Sequence, residues 1–155
     1  MNTEQPYRKH LAEQLCRILE ETAFMLVEDP EAPLPEPSPA IQASLTFSGR
    51  ANGTCWLIVS EADARQLATE MLGMDGLDVA SGNASDNAAG ELLNILTAWM
   101  LDSWWGENIE HNLGIPETRR LPMTQTPVWQ ASNDSRVVVS TDSGCVFLSC
   151  VTLEN

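Results

Sequence analysis

Two side chains able to do chemistry stand one helical turn apart in Gly90-Glu91-Leu92-Leu93-Asn94: the carboxylate of Glu91 and the carboxamide of Asn94. Residues three apart on an α-helix are neighbours on one face, so acid and amide project together. A carboxylate can hold an ammonium group. An amide accepts one hydrogen bond from water through its oxygen and donates through its nitrogen, so it can orient a nucleophile without a pKa near neutrality. By spacing alone, Glu91 reads first as an acid that complements the helix dipole. Asn94 then reads as an exposed residue of modest helix propensity.

The element that must carry the pair is a helix over residues 86–105, capped by Ser85 or Asp86. Wound at about 100° per residue, it gathers Leu92, Leu93, Leu96, Trp99, Met100 and Trp104 into a core stripe. Glu91, Asn94, Ala98, Asp102 and Trp105 fall on the opposite side, with Ile95 and Leu101 around them. A surface of acid, amide and small residue suits coverage by a partner. Ile95, Ala98 and Trp105 are the candidate partner contacts beside the Glu91/Asn94 pair.

The remaining elements follow from periodicity and turn chemistry. Residues 7–28 repeat apolar side chains at spacings of three and four and predict a helix. Residues 29–40 hold Pro30, Pro33, Pro35, Pro37 and Pro39 among acidic residues, an extended acidic Pro-rich loop because proline fixes φ and removes a donor. A hairpin follows, 41–48 and 54–59 about a turn containing Gly49 and Gly53. Ser60 and Asp63 resemble a capping box that starts a helix, and Gly73 is its C-terminal stop. Residues 73–85 read as a loop. Beyond Gly106 the chain reads as sheet, with a short extended stretch after Pro116, a strand at 124–131 weakened by Pro127, and strands 135–141 and 145–153 joined by Asp142-Ser143-Gly144. Trp56 and Phe147 are assigned to the core. Helices grouped apart from antiparallel strands predict an α+β class. A faint repeat supports two copies of a helix-plus-hairpin unit: Thr22-Ala23-Phe24-Met25-Leu26 parallels Thr97-Ala98-Trp99-Met100-Leu101. In that register Cys16 and Leu19 stand where Glu91 and Asn94 stand, so the first copy lacks the polar pair.

Composition narrows the function classes. The 155 residues predict one domain, 1–155, able to bury about two thirds of its unfolded surface. A net charge of −14 with eight Lys and Arg argues against nucleic acid and against an anionic membrane surface. No apolar run approaches the roughly 18 residues of a membrane span. The N-terminal residues show no secretory signal, so a cytoplasmic location is expected. Cys16, Cys55, Cys145 and Cys150 show no CxxC spacing and read as small buried hydrophobes. His10 and His111 are isolated, so no metal site and no cofactor of the protein's own is expected.

The succession of landmarks resembles the CheX-type chemotaxis phosphatases, relatives of CheC and of the phosphatase part of FliY. It consists of Phe47-Ser48-Gly49, Gly53-Thr54, Ala64, Leu67-Ala68, Met71-Leu72-Gly73, Asp86, Ala89-Gly90-Glu91-Leu92-Leu93-Asn94 and Ile115-Pro116. The likeness covers most of the chain, from about residue 41 to 122. Where the family pattern has Gly before the Asn, and a small residue with Lys one turn later, this chain has Leu93, Ala98 and Trp99. The resemblance implies a pseudo-twofold α+β domain with a central antiparallel sheet and long helices on one face, and a homodimer. It implies hydrolysis of the aspartyl phosphate on a CheY-like response-regulator receiver in chemotaxis or related two-component signalling. Glu91 would correspond to the acid that pairs with the receiver's active-site lysine. Asn94 would correspond to the amide that orients the attacking water, and Mg²⁺ would belong to the receiver. The alternative is a receiver-binding or dimeric scaffold module of the same fold without chemistry.

Overall fold

The computed structural model describes residues 13–21, 27–29, 39–50, 52–73, 83–121, 136–141 and 145–153. In chain order these form helix α1 (13–21) and strands β1 (Val27–Asp29), β2 (Ala40–Gly49) and β3 (Asn52–Ser60). Helices α2 (Glu61–Leu72) and α3 (Ala84–Trp105) follow. The chain continues with β4 (His111–Leu113), β5 (Glu117–Leu121), β6 (Arg136–Thr141) and β7 (Cys145–Leu153).

All the strand pairings are antiparallel, in the order β1-β6-β7-β3-β2-β4, with β5 also on β2. That order reads alike from either end. The hairpins β2–β3 and β6–β7 meet at the centre through β3 and β7, from Asn52 opposite Leu153 to Val59 opposite Val146. Each edge pairs with the other unit's hairpin, β1 on β6 and β4 with β5 on β2. Helix, edge strand and hairpin thus occur twice, which is the pseudo-twofold arrangement. The sequence echo behind that expectation was partly outside the described residues, at 22–26.

Strands β2 and β3 alternate over 41–48 and 52–57, one face turned to the main core, while Ile58 is buried on the other face. Ile41, Ala43, Leu45 and Phe47 of β2 are buried, as are Cys55, Leu57 and Val59 of β3, and all join one core with Leu15 and Leu19 of α1. Ser44 and Trp56 pair on the other face and are half-buried. Trp56 therefore lies off the core to which its size had assigned it, because strand parity, not residue volume, fixes which face a side chain takes.

Helix α2 follows its local signals closely. The Ser60 hydroxyl accepts a hydrogen bond from the Asp63 amide at 3.1 Å, Glu61 and Asp63 occupy the positive end of the helix, and Gly73 closes it at φ 64°. Its apolar side, Ala64, Leu67 and Ala68, is fully buried. Helix α3 spans 22 residues and packs on α2, β2, β3 and β5. Contact on several sides explains why its buried surface is wide: Ala88, Ala89, Leu92, Leu93, Leu96, Thr97, Met100 and Leu101. Each fully buried leucine there contributes about 1.5–3 kcal/mol relative to exposure.

Several expectations need correction. The first helix does not extend to residue 28, since Val27 and Glu28 are in β1; the apolar spacing continues into the strand and hides the boundary. Helix α3 begins before Ser85 and Asp86, at an Asn83 cap whose side chain makes no capping bond. Leu101, expected near the polar surface, is buried at 2% exposure because β4 and β5 cover that flank of α3. Trp99 is half-buried rather than fully in the stripe. The strand expected at 124–131 and the turn at 142–144 lie outside the described residues, as do the side chains of Trp104, Cys145, Phe147 and Cys150 and the Pro-rich segment 30–38.

Candidate functional site

The outward surface of α3 is a line of residues at helical spacing: Asn87, Glu91, Asn94, Ala98 and Asp102. All are exposed except Asn94, which is half-buried. The leucines between Glu91 and Asn94 are fully buried, so the same turn that roots the helix in the core fixes the direction of the acid and amide. Among the described residues no hydrogen bond or ion pair holds either side chain. Both are therefore available to another molecule. Of the candidate partner contacts, Ala98 is exposed, while Ile95 and Trp105 are half-buried. The small side chain of Ala98 leaves room for a close approach one turn beyond Asn94.

A second segment flanks this face. Residues 111–120 run beside α3 in the opposite direction. The His111 ring lies 5.5 Å from that of Trp105. A β-carbon built at Gly90 would fall 3.2 Å from Pro116 Cβ and 3.9 Å from Thr118 Cγ2. Arg120 Nε is 3.8 Å from Asp86 Oδ1, and Arg120 Nη1 donates to Glu61 Oε1 at 3.2 Å. Arg120 thus joins the first residue of α2 to the first turn of α3. Gly90 and Pro116 carry the close contact between helix and segment, which explains a glycine in the middle of a helix otherwise rich in Leu and Ala.

Sequence reasoning missed two participants in this neighbourhood. Arg120 lies 59 and 34 residues from its acidic partners Glu61 and Asp86, and such ion pairs leave no local pattern. Ile115, at 90% exposure, was visible only as part of the Ile115-Pro116 landmark. The depression lined by Thr46, Ser48, Asn52, Thr54 and Asn112, at the hairpin end of the sheet, carries no titratable side chain. Among the described residues no group of three or more His, Cys, Asp or Glu side chains is gathered as metal ligands, and no helix is long and apolar enough to cross a membrane.

This architecture recurs in solved structures of chemotaxis proteins. A CheX protein from Desulfovibrio desulfuricans superposes with a TM-score of 0.63 at 14% identity, over 94% of this chain and 97% of its own. The fold is that of the CheX and CheC-like proteins. A CheC-like superfamily protein from Shewanella gives a TM-score of 0.63 at 14% identity, over 99% and 100% of the two chains. CheX from Borrelia burgdorferi, solved in complex with CheY, BeF3 and Mg²⁺, gives 0.61 at 13% identity, over 96% and 98%. No protein-family model and no curated protein matches the chain by sequence. The CheX-like fold agrees with the resemblance drawn from the landmarks around Gly90 and Asn94.

Proposed function

We propose that the protein is a phosphatase for the aspartyl phosphate of a CheY-like receiver domain, acting through Glu91 and Asn94. The observation that carries the reading is the unengaged acid–amide pair on one face of α3, with Glu91 exposed and Asn94 half-buried, in a fold shared with a CheX solved together with CheY. An aspartyl phosphate is an acyl phosphate, already labile, so a helper protein has mainly to place a water in line with the scissile bond. In the proposed step the Asn94 amide oxygen accepts a hydrogen bond from that water, and its nitrogen donates to a phosphoryl oxygen. The water oxygen bonds to phosphorus. The P–O bond to the aspartyl carboxylate breaks with its electron pair on the carboxylate, and inorganic phosphate leaves, the water's proton passing to phosphate or solvent. Glu91 holds the receiver lysine and fixes the approach of the helix, while Mg²⁺ bound by the receiver neutralises phosphoryl charge. The protein contributes placement, and needs no titrating group of its own.

The acidity of the chain supports this partner class over nucleic acid, since a net charge of −14 favours a partner with a basic patch. Incubation with acetyl-phosphate- or kinase-charged receivers from the same cell tests the reading. Faster phosphate release from a cognate receiver is expected. Binding that depends on phosphorylation but leaves the phosphate lifetime unchanged would make the protein a docking module instead.

A further inference from the structure

We infer that Ile115 is a docking residue for the phosphorylated receiver, an apolar knob beside Asn94 that sets the affinity of the complex and not the rate of water attack. The inference rests on the phosphatase reading and assigns a further contact to the same face.

The position of Ile115 follows from its neighbours. Trp105 meets His111 and Gly90 meets Pro116, so residues 112–115 pass along the helix between those points. One extended residue advances about 3.3 Å, the rise of about two helical residues. Stepping back from Pro116, opposite Gly90, therefore brings Ile115 level with the turn that holds Glu91 and Asn94. Its exposure follows from register. Leu113 pairs with Phe47 and Glu117 with Ser44, which sets residues 114–116 against only Leu45 and Thr46. The extra residue is a bulge, a device that re-aims a side chain, and here the result is an isoleucine at 90% exposure.

Exposed apolar residues are common and by themselves need no explanation. Ile115 differs in being clamped on both sides. The Gly114 amide donates to the Thr46 carbonyl at 2.7 Å, and a side chain added at Gly114 would meet Thr46 Oγ1 at 2.9 Å. On the other side Pro116 rests against Gly90. The knob is thus held before any partner arrives, which lowers the ordering cost of docking. A second copy of this chain is the less suitable occupant, because matching the face to itself would oppose the exposed acids Glu91 and Asp102 of each copy. A receiver offering a cation to Glu91 and an apolar rim to Ile115 suits both ends of the face.

The test compares the wild type with Ile115→Ala and Ile115→Asp on a receiver that the wild type dephosphorylates. Kd is measured with the beryllofluoride-loaded receiver, and KM and kcat with the phosphorylated one. Removal of a buried isoleucine side chain should raise Kd and KM about ten-fold or more, with kcat within two-fold and an unchanged melting temperature. Asn94→Ala should give the reverse pattern, a loss in kcat with Kd retained. Wild-type Kd and KM in both Ile115 variants would overturn the inference and leave the phosphatase reading standing. A change in the sedimentation mass of the free Ile115→Asp protein would overturn it in favour of a second copy. A wild-type protein that acts on and binds no receiver would remove both conclusions together.

Discussion

Pro116 lies against Gly90, so close that a β-carbon on the helix would come within 3.2 Å of the proline ring. The contact holds the segment 111–120 against the helix that carries Glu91 and Asn94, one residue before the acid. A methyl group at Gly90 gains helix propensity of about 0.8–1 kcal/mol and can be absorbed by a small shift of Pro116. A branched side chain cannot. Gly90→Val is expected to destabilise the fold by about 1–3 kcal/mol through overpacking, whereas Gly90→Ala should stay within about 1 kcal/mol of wild type. Urea denaturation of the two variants measures the difference, and equal midpoints would mean that the contact yields freely.

Asn94 is the residue on which the proposed chemistry turns. Asn94→Ala removes both the acceptor for water and the donor to phosphate while leaving the buried leucines on either side in place. Loss of an orienting group of this kind is expected to cost on the order of 10²-fold in the rate of phosphate release, with receiver affinity retained. Single-turnover release of phosphate separates the two quantities. A variant that hydrolyses as fast as wild type would dismiss the amide from the mechanism.

Glu91 should behave differently, because its proposed part is to hold a cation at an exposed site. Glu91→Gln keeps the shape and removes the charge. Receiver binding is expected to weaken, and the salt dependence of binding to flatten, since exposed charge pairs are screened over about 8–10 Å at ordinary ionic strength. Titrations at low and high salt with both proteins check this. A change confined to kcat would assign Glu91 to the chemical step instead.

The contrast between α2 and α3 explains how much the sequence revealed. Helix α2 is bounded by Ser60 and Gly73, each acting on its own backbone, and both ends were legible. Helix α3 starts at Asn83 without a side-chain cap, so its first turn depends on packing that no local pattern records. The Glu91/Asn94 face was legible because three leucines and a methionine mark the opposite side. Leu101 was misplaced because the 3.6-residue period describes one buried side, whereas α3 is covered on a second flank by β4 and β5. The short strand β4 and the outward turn of Ile115 both arise from register with β2, which is a pairing between residues far apart in sequence. Arg120 belongs to the same class of unseen contact.

Arg120 links Glu61 and Asp86 at the adjoining starts of α2 and α3. The arginine side chain is 57% exposed, so the pair is worth little against water and salt. Arg120→Ala is expected to lower stability by less than about 1 kcal/mol, with the deficit shrinking as salt is added. Thermal melts across ionic strength give the comparison. A larger loss that persists in high salt would show that Asp86, whose Oδ1 is buried with no hydrogen bond, depends on the arginine for more than a screened attraction.

Cys16, half-buried on α1, offers a titration on a helix other than the one that carries Glu91 and Asn94. Burial pushes its thiol above the ordinary value and the nearby carboxylate of Glu20 pushes the same way, against a lesser backbone hydrogen bond, with Glu13 adding the least. Only the thiolate alkylates readily. Iodoacetamide should therefore modify Cys16 slowly near neutrality, with a rate that rises to a midpoint above that of an unstructured cysteine, and Glu20→Gln should move the midpoint down. Peptide mass spectrometry assigns the modification to this cysteine. Because the folded state holds the proton after the unfolded chain releases it, the stabilising contribution is complete below the unfolded thiol pKa and is lost as pH rises through the folded one. Urea midpoints of wild type relative to Cys16→Ser should accordingly fall over that alkaline interval. An alkylation midpoint at or below that of a free cysteine would mean that solvent reaches the thiol and that this flank of α1 opens.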